Sequence, residues 1–111
     1  MGIFGGLGGG FLLEELARGS AGAMTGFAYP EALVEICRHM AEGDQAAAER
    51  VFNKHLSLML FEFQEGIGVA IRKYALHSRG LIDYPKVRAP GPGVTEETQN
   101  EFHRLVKLAG L

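Results

Sequence analysis

Nine of the 16 glycines fall within the first 26 residues, and they cut that stretch into short elements. Residues 3–6 read as a short apolar strand running into a glycine loop, Gly5-Gly6-Leu7-Gly8-Gly9-Gly10. Phe11-Leu12-Leu13-Glu14-Glu15-Leu16-Ala17-Arg18 reads as a short amphipathic helix stopped by Gly19. Residues 21–26 read as a second strand, and Pro30 opens a second helix at a position where its missing N–H is no loss. Strand, helix, strand, helix with tight links implies parallel strands joined by crossover helices, an α/β arrangement. Two such strands do not make a covered sheet alone, so the chain is expected to be the tail of something larger.

The remainder is helical. Gly43 ends the second helix and Asp44 is a good N-cap for a third over residues 45–63. Ala48, Val51, Phe52, Leu56, Met59 and Phe63 follow the helical period there. Residues 58–63 carry apolar side chains nearly all round, so that turn buries its outer face against other helices or against another chain. Gly66 and Gly68 break this helix, and a fourth runs over residues 69–79 with Ile67, Ala70, Ile71, Tyr74 and Ala75 as its stripe. Residues 81–94 hold Pro85, Pro90, Gly91, Pro92 and Gly93 and are expected to be an irregular wrapping segment. Thr95 then caps a last helix whose buried face is Phe102, Leu105, Val106 and Leu108.

Composition removes several classes. A net charge of −2 over 111 residues gives no electrostatic case for nucleic acid or for an anionic membrane surface. No apolar run approaches the roughly 20 residues of a spanning helix, and the start lacks the basic and apolar regions of a signal peptide. A single cysteine, Cys37, excludes an internal disulfide and fits a reducing cytoplasm. The glycine loop misses the G-x-G-x-x-G spacing, and no Gly-Lys-Ser/Thr follows it. His39, His55, His77 and His103 have no ligand spacing to one another or to Cys37, so no metal is expected.

The order of motifs carries a more specific message. A glycine-rich strand end is followed by Leu12-Leu13-Glu14-Glu15-Leu16, Gly19-Ser20-Ala21-Gly22-Ala23-Met24-Thr25-Gly26 and Pro30-Glu31-Ala32-Leu33. Then come Glu42-Gly43-Asp44, Val87-Arg88-Ala89-Pro90 and a closing Leu108-Ala109-Gly110-Leu111. That succession resembles the C-terminal third of the dihydrodipicolinate synthase / N-acetylneuraminate lyase superfamily. These are (β/α)₈ TIM-barrel lyases and aldolases that form a Schiff base between a lysine and a 2-keto acid.

The resemblance implies a partial barrel, mostly helical overall: residues 1–43 as the last two strand–helix units and residues 44–111 as a C-terminal helical extension. Barrel sites lie at the carboxyl ends of strands, so residues 5–10 and 24–29 would line the site. Gly5, Gly6, Met24 and Thr25 would then be substrate-binding positions. Thr25 either hydrogen-bonds a substrate oxygen or satisfies the backbone of the next loop. The family's lysine and tyrosine sit on strands six and five, outside this chain, so no catalytic residue is assigned here. Lys54, Lys73, Lys86 and Lys107 fall in helices or the proline-rich loop, without the buried pocket an amine nucleophile needs.

The implied function is a fragment of a cytoplasmic aldolase that acts on a keto acid such as pyruvate. It needs neither cofactor nor metal and is inactive alone, and the parent enzyme would be a homo-oligomer. The competing reading is a non-catalytic helical interaction module built on residues 44–111.

Overall fold

The computed structural model describes residues 2–88 and 93–111. Residues 89–92, which hold part of the proline- and glycine-rich stretch and of its Val-Arg-Ala-Pro motif, lie outside the described residues. Two strands, β1 (Phe4–Gly5) and β2 (Gly22–Ala23), pair in parallel, with Phe4 opposite Gly22 and Gly5 opposite Ala23. Between them run a 3₁₀ turn, Leu7–Gly9, and the helix α1 (Leu12–Ala17). Among the described residues four helices follow: α2 (Pro30–Ala41), α3 (Gln45–Glu62), α4 (Gly68–Ser78) and α5 (Glu96–Leu108).

The strands are shorter than residues 3–6 and 21–26 suggest. Among the described residues each strand has the other as its one bonded neighbour, so the ladder is short. Two further bonds flank the ladder: Ala21 N–H donates to the Ile3 carbonyl at 2.7 Å and Met24 N–H to the Gly5 carbonyl at 2.8 Å. Beyond Gly6 the chain turns away at Leu7, which holds a positive φ of 57°.

The helix ends obey local chemistry. The Asp44 carboxylate accepts from Ala47 N–H at 3.1 Å, and the Thr95 hydroxyl accepts from Thr98 N–H at 3.2 Å, each satisfying an orphan donor. Gly43 and Gly80 close α2 and α4 in the left-handed region, at φ of 79° and 74°, where a side chain would be strained.

One apolar core joins the two halves of the chain. Leu12 and Ile36 from the first 43 residues pack in the same cluster as Phe52, Leu58, Met59, Ile71 and Phe102 from the rest. α2 buries Leu33 and Ile36, and of the stripe expected in α4 Ala70, Ile71 and Ala75 are buried while Ile67 and Tyr74 are half-buried. Two expectations fail at helix ends. Phe63 and Leu108 are exposed, although the Phe63 ring touches the turn at Gly8. The apolar turn at residues 58–63 splits in the same way, with Leu58 and Met59 buried and Leu60 exposed. No described helix is long and apolar enough to cross a membrane.

Candidate functional site

The parallel register sets the two carboxyl ends side by side. Met24 N–H bonds the Gly5 carbonyl, and a Cβ on Gly6 would stand 3.3 Å from the Met24 carbonyl oxygen. Gly5, Gly6 and Met24 are therefore in contact, and Thr25 follows directly. The Met24 side chain is 79% exposed, whereas Gly5, Gly6 and Thr25 are half-buried. A shallow wall results: two backbone segments leave a sheet end together with little side-chain bulk between them.

The glycines of this wall have distinct causes. A Cβ on Gly9, at φ 83°, would come within 2.8 Å of Leu33 Cδ2, so α2 rests directly on the turn. Gly8, at φ 69°, faces the Phe63 ring and the Met59 carbonyl at the end of α3. At Gly5 the place of the missing side chain is filled by the Glu15 carboxyl. Only Gly6 looks across to the second loop, and it is the glycine whose bareness keeps the two loops close. Packing of α1, α2 and α3 onto the loop thus explains much of a run that the sequence alone presents as open space.

The second loop is held by helices distant in sequence. Both carboxylate oxygens of Glu62, at the end of α3, accept from Ala28 N–H at 3.1 Å. Arg79, just past α4, donates from Nη1 to the Ala28 carbonyl at 2.5 Å, pairs with Glu31 and lies 4.6 Å over the Tyr29 ring. Arg72 places its guanidinium against Gly26, 3.1 Å from where a Cβ would stand. The Arg72 side chain is half-buried.

Glu62 is 3% exposed. Burial pushes its carboxyl up from the ordinary 4.5 to about 7, opposed by the Ala28 amide and by Arg72. Burial likewise raises the Tyr29 phenol, with Arg79 opposing, while the hydrogen bond from Arg79 lowers the Glu31 carboxyl.

Sequence reasoning missed Glu62 and Arg79. Glu62 did leave a signal: it lies three and four residues beyond Met59 and Leu58, on the stripe that α3 buries. A glutamate at a core position is a polar group that needs a partner. Arg79 left none, since a basic residue before a C-terminal glycine is ordinary helix chemistry.

Among the described residues the remaining polar side chains are in separate local settings. His55 bonds the Val51 carbonyl within its own helix at 2.8 Å, and His103 bonds the Tyr74 hydroxyl at 2.7 Å. No three His, Cys, Asp or Glu side chains converge on a metal position among the described residues. Lys54, Lys86 and Lys107 are exposed, and half-buried Lys73 donates to the Lys86 carbonyl at 3.4 Å.

An α/β start places loops at the carboxyl ends of two parallel strands, and a helical tail grips one of those loops. The family profile described as the Dihydrodipicolinate synthetase family matches residues 1–109, and the chain belongs to that family. Among solved structures it is similar to a dihydrodipicolinate synthase from Rhodopseudomonas palustris, at 37% identity and a TM-score of 0.95. That similarity covers 97% of this chain and 36% of that one. A monomeric dihydrodipicolinate synthase variant shares the fold at 24% identity and a TM-score of 0.86, with 100% of this chain and 37% of that chain covered. The chain thus spans little more than a third of the length of these solved structures. No curated protein matches it.

Proposed function

We propose that the chain is the C-terminal third of a Schiff-base-forming lyase or aldolase acting on a 2-keto acid such as pyruvate. In this reading β1 and β2 are the seventh and eighth strands of a (β/α)₈ barrel, and residues 44–111 are its helical extension. The chain supplies one wall of the active site, through Gly5, Gly6, Met24 and Thr25, while the lysine nucleophile and the proton-shuttling tyrosine stand on earlier strands.

The observation that carries the reading is the paired carboxyl ends of β1 and β2, where barrel sites form, within a chain that belongs to this family. Exposed Ile3, Phe4 and Met24 beside a two-stranded sheet support it, since further strands would cover them. Backbone at Gly6 and Met24 lets a small planar keto acid approach closely. Thr25 adds a hydroxyl that can donate to a carboxylate.

The coding sequence upstream of residue 1 tests this. A barrel of about 190 further residues, with a lysine closing its sixth strand, is the expected result. An unrelated upstream sequence would overturn the reading and favour a helical interaction module.

A further inference from the structure

Ala28 is held at both of its backbone polar atoms by side chains more than 30 positions away. Its amide meets the Glu62 carboxylate and its carbonyl meets the Arg79 guanidinium. Ala28 itself is 1% exposed. A buried carboxylate is a costly acceptor for one amide, because desolvation disfavours the charge. Arg79 does more than complete an ion pair. It joins the Ala28 carbonyl, the Tyr29 ring face and Glu31 in the first turn of α2 with one planar group, a geometry that lysine does not reproduce.

We propose that Glu62 and Arg79 are positioning residues that clamp the β2–α2 loop, so that α3 and α4 fix the wall carrying Met24 and Thr25. The importance of that wall for a substrate rests on the function proposed above; the clamp does not. Arg72 supports the same loop from α4, and the lack of a side chain at Gly26 is what admits its guanidinium.

Hydrogen exchange read by mass spectrometry on the full 111-residue chain tests the clamp. In Glu62→Ala, peptides spanning residues 24–30 should exchange about tenfold faster, the scale of leaving one buried amide without its acceptor. Glu62→Gln keeps an acceptor and should restore most of the protection, whereas Glu62→Met, of similar volume but without that acceptor, should not. Arg79→Lys should loosen residues 24–30 while residues 12–17 of α1 stay at the wild-type rate.

Unchanged exchange at residues 24–30 in Glu62→Ala, an equal loss in Gln and Ala, or a uniform rise along the whole chain overturns the proposal. If the loop responds while the upstream coding sequence is unrelated, the clamp stands and the aldolase reading falls. If the barrel is encoded and the loop does not respond, the clamp alone falls.

Discussion

Phe102→Ala is expected to cost the fold about 3–5 kcal/mol, the range for truncating a fully buried aromatic. Phe102 is 1% exposed and is among the largest fully buried side chains. Its ring stands edge-on to Tyr74 at 5.5 Å and 80°, tying α5 to α4. It is the only side chain of α5 that is fully buried; Leu105 and Val106 are partly covered and Leu108 is exposed. Urea unfolding followed by circular dichroism should show a lower midpoint with an unchanged slope. Because total stability of a small domain is only about 5–15 kcal/mol, the variant should sit close to its unfolding threshold. A loss under about 1 kcal/mol would mean that α5 is not anchored as described.

The second large effect is pH dependence. Glu62 binds its proton more tightly folded than unfolded, because burial raises its carboxyl from 4.5 to about 7. The folded state therefore holds more protons between those values, and stability must fall as pH rises through that window. The full change is about 3 kcal/mol, reached above pH 7. The groups facing Glu62 are Arg72 of α4, Tyr29 of the β2–α2 loop and the Ala28 amide. Arg72 and the amide limit the rise; burial dominates. Glu31 acts in the opposite sense, since its carboxyl is lowered, and its contribution is lost only below the ordinary carboxylate range. Unfolding measured at pH 5.5 and 8.5 should find the chain more stable at the lower value, and Glu62→Gln should flatten the difference. Greater stability at pH 8.5 in the wild type would contradict the burial of this carboxyl.

Helix boundaries were the most legible part of the chain, because they are local. Asp44 and Thr95 cap the helices their positions announce, and Gly43 and Gly80 stop theirs through left-handed backbone. Helical period also located Met59, Ile71 and Phe102 in the core. Coverage was not legible. Phe63 and Leu108 continue their stripes yet stay exposed, and a periodic pattern does not say how much of a position a neighbour covers.

The candidate wall was legible only through the ordered family motifs, since no charge or spacing marks Gly6 and Met24 as partners. Register places them together. The filling of Gly5 by Glu15 and the hold of Glu62 and Arg79 on Ala28 come from long-range packing. A buried glutamate in α3 was the one trace that such packing left in the sequence.

In the proposed function this chain contributes a wall of the site while the nucleophile lies elsewhere in the enzyme. Borohydride reduction in the presence of pyruvate, followed by mass spectrometry, tests it most directly. The chain alone should return at its unmodified mass. The chain combined with the polypeptide encoded upstream should give a reduced pyruvyl adduct on a lysine of that polypeptide. An adduct on Lys54, Lys73, Lys86 or Lys107 of the chain alone would place the nucleophile in this chain and overturn that division of roles.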